Sequence, residues 1–132
     1  MRRMLAIALP LTALVLGLAS DAEAKLCVRI DAPSAVRVGS TFTVRVTTLL
    51  PTWEGHRLVD LEPERASIRL RLTVLGPGGT YREVRLRPTK APAVWSTRLR
   101  LSRRGFWLLT VSGWERAPRE CAPPERIRAG SR

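Results

Sequence analysis

The sequence predicts an all-β fold, an antiparallel sandwich of about seven strands preceded by a signal-peptide helix. Three observations carry this expectation. Beyond residue 24, apolar and polar side chains alternate with period two, which places them on opposite faces of extended strands. No stretch of that region repeats its apolar residues at helical spacing. The alternating stretches are short and are separated by Gly and Pro turns, as in two-sheet all-β domains.

The chain opens with Met1, Arg2, Arg3 and Met4, and then runs uncharged from Leu5 to Leu18. That is a positive n-region followed by an apolar h-region. A helix of fourteen residues rises about 21 Å, short of the roughly 30 Å hydrocarbon core of a bilayer. Ala22 and Ala24 flank Glu23 in the small-residue pattern of a cleavage site, so the cut is expected between Ala24 and Lys25. An uncleaved anchor is the alternative, disfavoured by the short h-region and by that site. Leu26 before Cys27 does not fit a lipoprotein site. The expected location is therefore extracytoplasmic, secreted or periplasmic, with no stable transmembrane anchor after cleavage.

Removal of residues 1–24 leaves enough chain for one domain and too little for two. The expected division is a leader at 1–24, a sandwich at 25–114 and a Pro/Arg-rich tail at 115–132. The net charge of +12 survives cleavage, because Arg2 and Arg3 leave together with Asp21 and Glu23. Outside the cytoplasm, two cysteines are expected to pair, and Cys27 and Cys121 lie near the two ends of the mature chain.

Cys27 to Asp31 reads as a first strand ended by Pro33. Gly39 and Ser40 turn the chain into Thr41 to Leu49, where Phe42, Val44 and Val46 alternate with Thr43, Arg45 and Thr47. Leu50 to Arg65 reads as one long loop. Ala66 to Leu75 alternates strictly, with Ile68, Leu70, Leu72 and Val74 on one face. The turn Gly76-Pro77-Gly78-Gly79 joins it to Tyr81 to Arg87. Val94 to Leu101 follows, with Trp95, Thr97, Leu99 and Leu101 on one face. Phe106 to Trp114 is apolar on both faces at its start, as in a central strand. From Glu115 the prolines and charges indicate an irregular tail, with at most an edge strand around Arg126 to Arg128.

Two stretches resemble known modules. Val36, Val38, Gly39, Thr41, Phe42, Thr43, Val44 and Val46 resemble the opening of CARDB-type bacterial extracellular domains. Gly79 to Tyr81, Trp95 to Leu101, and Gly105, Phe106, Trp107, Leu109 and Val111 resemble the C-terminal half of the periplasmic YtkA-like family. The resemblance implies an immunoglobulin-like topology for the sandwich. It also implies metal handling, but the copper-binding Met and His clusters of such proteins are missing here: the mature chain has no Met and a single His, His56.

Two candidate sites stand out. Glu54, His56 and Asp60 in the long loop form a candidate metal site, set against a solvated loop with local ion pairs, which Arg57 and Arg65 favour. Arg69, Arg71, Arg85, Arg87, Arg98 and Arg100 fall on the polar parity of their strands and form a candidate anion-binding patch, set against a plain solvated face. No nucleophile, base and orienting group fall into a hydrolase pattern, so no catalytic residues are named and a non-enzyme without cofactor is expected.

The resulting functional expectation is an exported, non-catalytic binding or accessory module of the cell envelope. Its expected partner is an envelope polyanion or a protein, not nucleic acid. A YtkA-like protein of copper handling and a structural envelope component are the alternatives.

Overall fold

The computed structural model describes residues 26–65, 69–112 and 121–131. The leader and its cleavage site, the beginning of the strand expected at Ala66, and Trp114 with the first part of the tail lie outside the described residues. The described residues are nearly all β. The strands are β1 (Cys27–Asp31), β2 (Ala35–Arg37), β3 (Thr41–Glu54), β4 (Arg57–Pro63), β5 (Arg71–Leu75), β6 (Tyr81–Arg85), β7 (Arg87–Pro88), β8 (Val94–Arg100), β9 (Gly105–Ser112) and β10 (Glu125–Gly130).

They form two five-stranded sheets. The first runs β1-β3-β8-β7, with β4 also paired to β3, and the second runs β2-β10-β9-β5-β6. All pairs are antiparallel except β2 with β10. Alternation along each strand supplies the apolar face. Val28, Ile30, Val44, Val46, Trp95 and Leu99 of the first sheet share one buried cluster with Leu72, Val74, Trp107, Leu109, Ile127 and Ala129 of the second. Burial of this apolar surface drives the fold.

Four expectations are corrected. The stretch read as a long loop from Leu50 is a hairpin. β3 continues past its pairing with β8 and turns back at Gly55 and His56 into β4, with Pro51 opposite Leu61 and Trp53 opposite Leu58. Its alternation is blurred because Thr47 and Thr48 are buried beside Val46 and Leu49. The expected strand from Tyr81 to Arg87 is two strands. β6 pairs with β5 in the second sheet, and after Leu86 the chain enters the first sheet as β7.

The tail strand is not at an edge: β10 lies between β2 and β9. Ile127 and Ala129 give it a buried face, which a short segment among prolines concealed. Lastly, Phe106 is exposed, so β9 does not bury both faces although it is central in its sheet.

The two cysteines expected to pair are bonded, with Cα atoms 5.1 Å apart. Cys27 and Val28 point to opposite faces of β1. Val28 therefore joins the main core, whereas the bridge packs with Leu49 and the half-buried Leu58 on the other side of the first sheet.

Candidate functional site, a cationic cleft at the sheet crossing

The chain crosses between sheets at Leu86, and that crossing builds the site. Arg85 ends β6 in one sheet and Arg87 begins β7 in the other. Between them Leu86 is buried, and its backbone N–H donates to the Leu70 carbonyl at 3.1 Å. The inward Leu86 sends both neighbouring guanidinium groups to the outside. There they border an open cleft of about 800 Å³.

Arg65, Arg69 and Lys90 join them, so five cations line the cleft. Among the described residues no carboxylate lines it. None of the five makes an ion pair among the described residues. Leu86, Pro88, Pro92 and Trp95 supply the apolar part of the wall. The Trp95 indole N–H is buried without a hydrogen-bond partner among the described residues. A second, smaller cleft of about 490 Å³ lies alongside, lined by Val84, Ser96 and Thr97 with Arg85, Arg87 and Arg98.

Thr89 shapes the rim between the two prolines. Its hydroxyl donates to the Val94 carbonyl at 2.9 Å and accepts from the Ala91 N–H at 3.2 Å. This tight local turn holds Lys90 at the surface beside Arg87.

Four of the six arginines expected to form an anion-binding patch border these two clefts: Arg69, Arg85, Arg87 and Arg98. Arg71 and Arg100 do not. Arg71 lies directly across the ladder from Arg85 and is drawn to Glu83, 3.4 Å away. Arg100 sits at the far end of β8 opposite Thr41. Strand parity identified which arginines are exposed. It did not reveal Arg65 and Lys90, which lie outside regular strands and reach the cleft only through the fold.

The candidate metal ligands are not brought together. Glu54 is engaged by Arg57 at 3.2 Å, His56 lies in the exposed hairpin turn, and Asp60 accepts the Leu61 N–H at 2.9 Å. In the antiparallel register Asp60 stands opposite Thr52, well up the ladder from the turn. Among the described residues no three of His, Cys, Asp and Glu gather into a group able to hold a metal ion.

No protein-family model matches the chain, and no curated protein matches it. Among solved structures the chain is similar to a superoxide reductase (neelaredoxin) from Ignicoccus hospitalis. The identity is 20%, the TM-score is 0.47, and the alignment covers 82% of this chain and 84% of that one. A second variant of the same protein aligns at 21% identity and a TM-score of 0.46, covering 85% of this chain and 86% of that one.

These comparisons correct the expected kinship with YtkA-like and CARDB-type modules, and with it the immunoglobulin-like description. The expectation of a non-catalytic binding or accessory module, and of a non-enzyme, is corrected as well: the similar solved structures bear the name superoxide reductase. So are its two alternatives, the copper-handling protein and the structural envelope component. Identities of 20% and 21% with these TM-scores transfer neither that reaction nor its ligand to this chain.

Proposed function

We propose that the protein binds a ligand carrying more than one oxyanion, such as a phosphate or sulfate ester, in the cleft at the Leu86 crossing. The observation that carries this reading is five cations around one concavity that, among the described residues, no carboxylate lines. Guanidinium groups present paired donors that match the geometry of phosphate and sulfate oxygens. A concave cationic wall concentrates its field, which favours a compact polyanion over scattered single charges.

In the same reading the two sheets are the layers of a sandwich, supported by their shared core. The protein works outside the cytoplasm, which the Cys27–Cys121 bridge and the leader pattern support.

Titration calorimetry with inorganic tripolyphosphate at low salt tests the cleft. Binding is expected, weakening as salt is added. Arg85→Glu with Arg87→Glu is expected to lower affinity by about tenfold or more, through loss of charge-assisted contacts. Arg100→Glu, outside the cleft, is expected to leave it nearly unchanged. Absence of binding, or an equal loss in all these variants, overturns the proposal.

A further inference from the structure

All seven large hydrophobic side chains that are exposed among the described residues lie on two parts of the fold. Leu50, Trp53, Val59 and Leu61, between 37% and 44% exposed, lie on the β3–β4 hairpin. Leu75, Tyr81 and Phe106, between 40% and 60% exposed, lie on the outer face of the second sheet. Scattered exposed apolar residues are ordinary on protein surfaces, but concentration into patches marks contact surfaces.

The hairpin forms an arm beyond the main core. Cross-strand partners share a face, so Pro51 with Leu61 and Trp53 with Leu58 make one apolar strip that continues from the disulfide cluster. Leu50 with Glu62 and Thr52 with Asp60 make the opposite face. The arm and its exit carry Glu54, Asp60, Glu62 and Glu64. Against these stand Arg57, which is paired with Glu54 at 3.2 Å, and Arg65 after Glu64. In a chain of net charge +12, this arm is acidic.

The outer face of the second sheet has the opposite character. The register sets Arg126, Leu108, Leu75 and Tyr81 in one row across four strands. Ala35, Arg128 and Phe106 form the next row. The Arg126 guanidinium stacks 3.9 Å above the Phe106 ring. Arg37 stands beside Gly130 at the edge. Glu83, opposite Thr73 on this face, is engaged by Arg71 at 3.4 Å and by the Tyr81 hydroxyl at 3.1 Å.

We infer that the acidic, apolar arm of one copy docks on the basic, aromatic sheet face of a second copy of this chain. Of the three pairings available to these patches, arm on arm opposes carboxylates and face on face opposes guanidinium groups. Arm on face alone joins apolar surface to apolar surface and opposite charge to opposite charge. Because the patches differ and lie on different parts of the molecule, the contact is head to tail, and each added copy leaves one arm and one face open. The inference is independent of the ligand in the cleft.

Sedimentation of the purified protein tests it. In about 20 mM salt the mass is expected to exceed one chain and to rise with concentration, and in about 500 mM salt to fall back toward one chain as the charges are screened. Asp60→Arg with Glu62→Arg breaks the arm, and Arg126→Glu with Arg128→Glu breaks the face. Each variant alone is expected to be monomeric while keeping the thermal transition of the parent. Mixed together, they retain one intact face and one intact arm, so a complex of two chains that stops growing is expected. Leu50→Ser, on the same face as Asp60 and Glu62, leaves the charges in place and is expected to weaken association at every salt concentration. A monomeric parent at about 1 mM chain in low salt, self-association of either charge variant, or no complex in the mixture overturns the inference.

Discussion

Trp107 fills the space that a side chain at Gly76 would occupy. A Cβ at Gly76 would collide with Cζ3, Cε3 and Cη2 of the indole. The ring is buried, and its N–H donates to the Arg103 carbonyl at 3.0 Å, so it has little room to retreat. The backbone at Gly76 is extended, with φ of −130°, and is open to any residue. The cost of Gly76→Ala is therefore steric. A loss of about 1–3 kcal/mol is expected, read as a lower midpoint in chemical denaturation.

The bridge between Cys27 and Cys121 closes 94 residues of sequence. Its removal frees the unfolded chain more than the folded one. Replacing both cysteines by Ala is expected to cost about 2–5 kcal/mol, measured by denaturant titration against the oxidised parent. The same loss is expected when the parent is titrated with reductant present.

Thr48 is fully buried, and its hydroxyl donates to the Glu64 carbonyl, with the Ala93 carbonyl 3.3 Å away. Its backbone also pairs with both residues, accepting the Glu64 N–H and donating to Ala93. Thr48 thus ties the base of the β3–β4 hairpin to the loop before β8. Thr48→Val keeps the shape and removes the hydroxyl donor. A loss of about 1–3 kcal/mol is expected. Amide exchange is expected to quicken at the end of β4 before it quickens in β8.

Tyr81 is the only tyrosine of the chain, so its ionisation can be followed directly in the ultraviolet. Its hydroxyl donates to the Glu83 carboxylate at 3.1 Å, which holds the phenol pKa above its ordinary value of 10. Glu83→Gln is expected to move the titration back toward that value. For a group whose folded pKa is raised, any linked stability is present below the unfolded pKa. It is lost as the pH rises through the folded pKa.

Much of the strand content was legible in the sequence. Alternation in Thr41 to Val46 and in Val94 to Leu101 identified which side chains face inward, and Val44, Val46, Trp95, Leu99 and Leu101 are buried. The glycine-rich turn after Leu75 correctly joined β5 to β6. The hairpin from Leu50 to Pro63 was not legible. A proline sits in its first strand, and its exposed Trp53, Val59 and Leu61 blur the contrast between buried and exposed positions.

The candidate site was half legible for a related reason. Parity along a strand tells which arginines leave the core, and Arg69, Arg85, Arg87 and Arg98 do leave it. Parity says nothing about Arg65 and Lys90, which sit outside strands.

The sequence by itself determined an all-β chain, its basic surface and the pair of cysteines available for a bridge, because each of these follows from local periodicity or from composition. Only the tertiary structure decided that the chain changes sheets at Leu86, that β10 is an inner strand between β2 and β9, and that five cations meet around one cleft. The physical reason is range. A strand's faces are set by its own residues, whereas its partner is set by which distant segment buries the most apolar surface against it.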